Sequence, residues 1–379
     1  MASIGDITDW GTITEFDTDP TKVSAVETDF TFMLTEDNVP SGWLDADGDN
    51  PVSRDDLRLT SADDGTGWMN IDIRFITTNN NPALGELHVF GKLLTISSVV
   101  AVNFYGFANN PEASEAARGD ANGGMEGTYK DSIRLAQNFD ADPSGTPDQA
   151  IDSTQYNFDG FSEGSMVSGD LVDGKIGKAW RFEPLESQGV NMKSADLGIT
   201  NNLTILQWLD LDAAASFVIS VGKRIDGGAV PYLFGTSDTG TILLDATQLT
   251  PGAHRVQSYS DGSHCWAGTI DTSDGYYTYF DNAQSSKTAV SAGSISESGA
   301  RLILAGQSWP PLGILSTWPG LISLTWILDI TATTDWLTTT YNSQNAPDTF
   351  IVPGAATNIA LLIKKLLRGL QSGMRMGVR

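Results

Sequence analysis

Between residues 173 and 330 the chain runs through one strand-length apolar or alternating segment after another: "KAWRFEP", "LTILQWLDL", "SFVISVGKR", "VPYLFG", "GTILLDA", "HRVQSYSD", "HCWAGTI", "GYYTYFDN", "ARLILAGQ" and "LISLTWILDI". Clusters of Gly, Asp, Asn, Ser and Pro separate most of them, which is the pattern of short antiparallel strands joined by turns. About ten such segments at near-regular spacing predict two stacked sheets, since one open sheet of that size would leave an apolar face in water.

Residues 22–105 show the same pattern on a smaller scale, with "TDFTFML" (28–34), "DDLRLTS" (55–61), "NIDIRFIT" (70–77), "GELHVFGKL" (85–93) and "VVAVNFYGF" (99–107). They predict a small antiparallel β-sandwich. Gly, Pro, Asn and Asp dominate much of 108–170, which reads as loop around a short "KDSIRLAQ" segment. Composition agrees: 39 Gly, 15 Pro and 18% charged residues in 379, where an average domain has about 25% charged. A chain this long exceeds what one core supports, so two domains are expected. We place an N-terminal β-sandwich at 1–120, a linker at 121–172, a second sandwich at 173–353 and a tail at 354–379.

The net charge of −25, from 22 Lys+Arg against 47 Asp+Glu, repels nucleic acid and anionic membrane surfaces. The tail reverses the sign: Lys364, Lys365, Arg368, Arg375 and Arg379 occur there without an acid. Cys265 is the single cysteine, so neither an intrachain disulfide nor a zinc cluster is expected. The opening "MASIGDITDWGTITEF" lacks the basic and apolar regions of a signal peptide, and no apolar run reaches the ~20 residues of a membrane span. Synthesis in a cytoplasm without general secretory export is the expectation.

Within "TNIALLIKKLLRGLQ" (357–371), Ile359, Leu362, Ile363, Leu366 and Leu370 recur at helical spacing, with Lys364, Lys365 and Arg368 largely on the other side. That predicts a basic amphipathic helix of about 12 residues. It can dock on a neighbouring subunit, hold an acidic partner or lie on a membrane; after a completed domain, the subunit reading fits best. The two sandwiches should then fold without it.

Several motifs carry a resemblance. "DGKIGKAWRFEP" (173–184), "HRVQSYSDGSHCWAGTIDTSDG" (254–275) and "ARLILAGQ" followed by "WPGLISLTWILDI" (318–330) resemble, in this order, the opening, the strand pair and the last strands of concanavalin A-like, laminin-G-type jelly-roll domains. "TTDWLTTTYNSQNAPDTF" (333–350) resembles that family's closure, here Trp336, Thr339, Tyr341, Asn342, Gln344, Pro347 and Phe350. The resemblance implies a helical turn that lays Trp336 and Tyr341 on the sandwich edge and ends at Pro347. "DFTFMLTEDNVPSGWLDADGDNPVSRDDLRLTS" and "GELHVFGKL…VNFYGFANNPEASEA" resemble a small β-sandwich family of unknown function that commonly precedes such jelly rolls. "ISLTW" (322–326) and "WLDL" (208–211) depart from the jelly-roll pattern, which has an acid pair at the first and W-V-K at the second. The fold expected is therefore all-β: an N-terminal β-sandwich, a laminin-G-like jelly roll and a short C-terminal amphipathic helix.

Such domain pairs occur in bacterial surface proteins and in virion proteins of tailed bacteriophages. The resemblance, with no signal peptide, implies a non-enzymatic virion surface protein, such as a tail fibre, spike or decoration. Its jelly roll would bind host or environmental glycans, and its tail would join a homo-oligomer or other virion proteins. A purely structural decoration without ligand and a bacterial cell-surface adhesin are the alternatives. A glycan-cleaving enzyme would need a carboxylate pair on the concave sheet.

Candidate sites remain few. Asp45, Asp47 and Asp49 in "DADGDN" stand at the alternate spacing that aims carboxylates at Ca²⁺, although no Glu follows at position 12 of such a loop. Trp309 in "GQSWPPLGILSTWPG" (306–320) can stack on a sugar or anchor its loop; Trp318 matches the jelly roll's structural aromatic. "EFDTD" (15–19) has the look of a glycosidase strand but lies outside the jelly roll. "YYTYF" (276–280) alternates faces, one set predicted as core. With His88, His254, His264 and one Cys, no Ser/His/Asp or Cys/His arrangement and no phosphate loop is signalled.

Overall fold

The computed structural model describes residues 4–40, 43, 55, 57–76, 87–110, 112–114, 116–120, 124–145, 148–193, 196–212, 217–225, 229–297, 299–308 and 313–359. The chain forms two compact units, one of residues 1–128 and 342–379, the other of residues 129–341. These limits differ from those expected at 120, 172 and 353. The helix Thr334–Asn345 carries the second division.

In the first unit, Thr12–Thr18 is central to a five-stranded antiparallel sheet, with Asn103–Ala108 on one side and both Ile351–Pro353 and Thr357–Asn358 on the other. Arg58–Thr60 adds to Asn103–Ala108. A three-stranded sheet joins Glu27–Thr35, Leu87–Ile96 and Ile71–Ile76. Thr14, Phe16 and Thr18 are buried in alternation. Phe16 stacks on Phe104 at 5.0 Å and meets the edge of Trp43 at 5.5 Å. A Cβ on Gly106 would stand 2.3 Å from the Trp43 ring, so only glycine lets that strand pass beneath the indole.

Thr12–Thr18 is a strand that the sequence reading missed, and it holds "EFDTD". Glu15 faces outward, accepting from Asn103 Nδ2 at 2.8 Å and from the Tyr105 hydroxyl at 3.4 Å. Asp19 caps the 3-10 turn Pro20–Lys22 through the Thr21 amide at 2.8 Å. These carboxylates are thus cross-strand and capping groups.

The second unit stacks two antiparallel sheets into a jelly-roll-type sandwich. The nine-stranded sheet centres on Asn202–Leu211, between Gly262–Asp271 and Gly320–Leu328. The seven-stranded sheet centres on Ile219–Ile225, between Tyr232–Thr236 and Ala300–Leu304. Leu203, Ile205, Leu209 and Trp266 from one sheet meet Val221, Phe234, Leu244 and Leu302 from the other in one buried apolar core. Burying each such side chain contributes about 1.5–3 kcal/mol. Most strands lie where the alternation predicts them. "HRVQSYSD" is the exception: it holds only the short Ala253–His254 strand, because Val256 beyond it is exposed and no alternating buried face keeps the run in a sheet.

Residues 129–172, composed like a linker, belong to this sandwich. Ile133–Gln137 pairs with Gly320–Leu328, Phe161–Glu163 with Gly189–Asn191, and Leu171–Asp173 with Lys178–Phe182. Leu135, Phe139 and Ala150 lie in the core. Asp152 supplies what hydrophobic pattern does not: its buried carboxylate accepts the backbone amides of Ala136, Thr154 and Phe158, each at 3.0 Å. Burial raises its pKa, and those hydrogen bonds act against the rise. A loop-like composition is thereby tied into a packed structure.

Helix Thr334–Asn345 lies across the outer face of the nine-stranded sheet, over its middle and not its edge. Tyr341 stacks on Trp208 at 5.9 Å, and Trp336 meets Trp326 at 6.4 Å. Both partners stand on central strands whose outward large aromatics would otherwise face water. The helix stops at Asn345, just before Pro347, which opens a further turn Pro347–Phe350 in the first unit, where Phe350 packs on Phe30 at 5.8 Å.

His254 gives this unit an acid-sensitive point. Its ring lies parallel to Tyr276 and bonds Thr288 at 2.8 Å and Ser285 at 3.0 Å, and burial lowers its pKa to about 4. The unfolded chain takes up a proton below about pH 6.5 while the folded one does not, so its contribution to stability is complete above that pH and is lost as pH falls toward 4. The loss amounts to on the order of 3 kcal/mol. Urea melts of wild type and His254→Gln between pH 7 and 4 check this: the substitution should flatten the acid slope, and equal slopes would exclude His254.

Candidate functional site

The outer face of the seven-stranded sheet differs in kind from that of its partner. Strand alternation turns Val190, Val221, Phe234 and Leu302 into the core, which sends their neighbours Asn191, Gly222, Leu233 and Arg301 outward. Register then sets Arg224 directly opposite Arg301 across neighbouring antiparallel strands. Like charges in this position oppose each other and destabilise the sheet.

Neighbours hold both guanidinium groups. Arg301 Nη2 lies 3.2 Å from Glu163 Oε1, with the two side chains 38% and 30% exposed. The same oxygen accepts from Asn191 Nδ2 at 2.5 Å. Arg224 Nη1 donates to Gln307 Oε1 at 3.1 Å, and Gln307 Nε2 donates to Ser316 at 3.3 Å. Burial lowers the Arg224 pKa from its ordinary value. Ile314 reaches back over Gly189 and Gly306, where an added Cβ would stand 2.8 and 2.5 Å from it. Further along the face, Arg255 pairs with Asp245 at 2.8 Å. Burial raises the Asp245 pKa, and Arg255 acts against that rise. The result is a face on which part-exposed Arg301 and Glu163 are held, with Arg224, by the buried amides of Asn191 and Gln307, in a chain of net charge −25.

Sequence reasoning missed Arg224, Arg301, Glu163, Asn191 and Gln307. Their only local signal is a polar residue inside a strand, and what unites them is register between segments far apart in the chain. Trp309 lies outside the described residues. Asp45, Asp47 and Asp49 also lie outside them, and among the described residues no group of three His, Cys, Asp or Glu side chains is placed to hold a metal ion. Trp318 is fully buried against Trp266 at 5.4 Å and donates to the Asp210 carbonyl. In "YYTYF", Tyr276 faces the core, and Tyr279 is buried on the other face, its hydroxyl 3.3 Å from Thr334 at the start of the helix.

Of the tail, Leu362, Ile363, Lys364, Lys365, Leu366, Arg368 and Leu370 lie outside the described residues. Ile359 does not, and it corrects the expectation of an anchoring side chain. It is 2% exposed and packs with Trp10 and Phe107 in the first unit's own core, just after Thr357–Asn358 pairs with Thr12 and Ile13.

No family model matches the chain, and no curated protein matches it. Among solved structures, domain 4 of the extracellular arabinanase AbnA from Geobacillus stearothermophilus, in complex with arabinotriose, is similar at TM-score 0.41 and 14% identity, over 55% of this chain and 98% of that one. The Ruminococcus gnavus IT-sialidase CBM40 bound to alpha2,3 sialyllactose follows at 0.34 and 14%, over 40% and 89%. The receptor-binding domain of botulinum neurotoxin mosaic serotype C/D stands at 0.38 and 12%, over 56% and 51%. The sheets themselves define the class: an all-β chain pairing a small β-sandwich with a jelly-roll-type sandwich.

Proposed function

We propose that the chain is a glycan-binding surface protein, and that its ligand lies on the outer face of the seven-stranded sheet over Arg224 and Arg301. One observation carries this reading. Two arginines stand opposed across neighbouring strands of an acidic protein, at a cost to the sheet, and each is oriented by a polar neighbour. Stability given up at one place in a fold is characteristic of a site kept for function. Fixed guanidinium forks suit carboxylates, part-exposed Glu163 adds a carboxylate that can bond sugar hydroxyls, and buried Asn191 and Gln307 hold these groups in place. The ligand class that fits is a glycan bearing acidic sugars.

A glycan array with the full-length protein tests the reading. Binding to uronate- or sialate-bearing glycans should fall about tenfold or more in Arg224→Ala and Arg301→Gln, which is ~1.4 kcal/mol or more, with melting temperatures not lowered, since each substitution removes the like-charge pair. No binding by the wild type, or binding that neither substitution weakens, would rule the face out. Single sites of this kind bind weakly, and repeated display multiplies avidity by about 10²–10⁴.

The resemblance of the motif order to virion proteins of tailed bacteriophages supports placing this binding on a particle surface. Immunogold labelling of purified particles with antibody against residues 173–353 is the check: label at the tail tip favours host attachment, label over the head favours decoration, and no label favours a cellular adhesin.

A further inference from the structure

Away from the arginine face, at the rim of the second unit, three side chains come together that the sequence shows no sign of combining. Ser260 Oγ lies 3.0 Å from His264 Nε2. His264 Nδ1 bonds Asp281 Oδ2. The far oxygen, Asp281 Oδ1, accepts the Cys265 amide at 2.9 Å, and the Asp281 amide returns a bond to the Cys265 carbonyl at 2.9 Å. Asp281 (φ +46°) and Asn282 (φ +73°) are the two loop residues of the hairpin that joins Phe280 to Ala283, a turn that fixes where the Asp281 side chain starts. Phe280 tilts against the imidazole at 4.4 Å and meets Trp266 at 5.9 Å, so one side of the ring is walled by aromatics while Ser260 is exposed.

We infer that Ser260, His264 and Asp281 form a nucleophilic relay that hydrolyses short-chain carboxylic esters, such as the O-acetyl group of a modified sugar. Roles and geometry define such a relay, whatever the order of its members along the chain. Ser260 Oγ attacks the ester carbonyl carbon and passes its proton to Nε2. The tetrahedral adduct collapses, the bond from carbon to the alcohol oxygen breaks, and the alcohol leaves with that proton. Water then attacks the acyl-serine by the same route, releasing a carboxylic acid and restoring Ser260; ester and water become acid and alcohol.

Asp281 is the positioning residue, holding the proton on Nδ1 so that Nε2 is the base. The Asp261 carbonyl, 3.2 Å from Nε2, accepts once the ring is doubly protonated and so stabilises the imidazolium.

The inference shares no residue with the binding face and stands or falls separately. The test treats the full-length protein with a fluorophosphonate and maps the adduct by mass spectrometry, alongside hydrolysis of p-nitrophenyl acetate. The expected result is one adduct, on Ser260, and hydrolysis that falls about 10²–10³-fold in Ser260→Ala with its melting curve unchanged. Asp281→Asn should lower the rate and also move the pH–rate profile, which loss of packing alone would not do. Adduct mapping needs no variant, so a folding defect cannot obscure it. Absence of a Ser260 adduct, or hydrolysis indifferent to Ser260→Ala, overturns the inference.

Discussion

A chain stopped after Asn345 should lose the first unit's fold while keeping the strands of the second. The stop removes Phe350 and Ile351, both fully buried, and both returning strands, Ile351–Pro353 and Thr357–Asn358, which pair with Thr12–Thr18. It also removes Ile359 from beside Trp10 and Phe107 and the Pro347 carbonyl, which accepts from buried Asn38 Nδ2 at 2.9 Å. Phe350→Ala alone should cost about 3–5 kcal/mol, a large share of the ~5–15 kcal/mol that stabilises an ordinary domain. Limited proteolysis would then cut within residues 4–128 and spare 129–341. A truncated chain whose first unit resists protease would show that the returning strands are dispensable.

Glu297→Ala should be the most damaging single change in the second unit outside its apolar core. Glu297 and Lys223 are 2% and 0% exposed, their charged atoms 3.5 Å apart. Glu297 also accepts the Tyr232 hydroxyl at 2.8 Å and the Ile199 amide at 3.0 Å. Burial pushes the Lys223 pKa down and the Glu297 pKa up, and each charge acts against the other's shift. Removing the carboxylate takes from the buried Lys223 ammonium the counter-charge 3.5 Å away, which costs about 3–5 kcal/mol. Replacing both residues, as Lys223→Met with Glu297→Leu, should recover only part of that loss: two apolar side chains need no counter-charge, but the Tyr232 hydroxyl and the Ile199 amide lose their acceptor. Denaturant melts that follow the second unit's own transition make the comparison, since two units need not unfold together. A loss below about 1 kcal/mol in Glu297→Ala would mean that Lys223 sheds its proton or reaches water, contrary to this account.

Alternation made most strands legible, because it is written into each segment: Leu203 and Ile205 declare their shared face without reference to any other part of the chain. The segment around Asp152 was illegible for the opposite reason. What buries it is a carboxylate gathering backbone amides from three residues, and a lone Asp among turn residues looks the same in a solvated loop. Trp336 and Tyr341 could be read as packing residues, but their place over Trp208 and Trp326 followed only once strand order brought those two to the middle of a sheet.

The sequence by itself determined that this protein is all-β, where most of its strands lie, and that an aromatic helix covers the second sandwich. Tertiary structure alone decided that residues 351–359 return to complete the first unit, that Arg224 faces Arg301, and that Asp281 meets His264. Periodicity is local and survives in one dimension. Strand partners and register are chosen among segments far apart in the chain, by which pairing buries the most apolar surface and satisfies the most backbone hydrogen bonds.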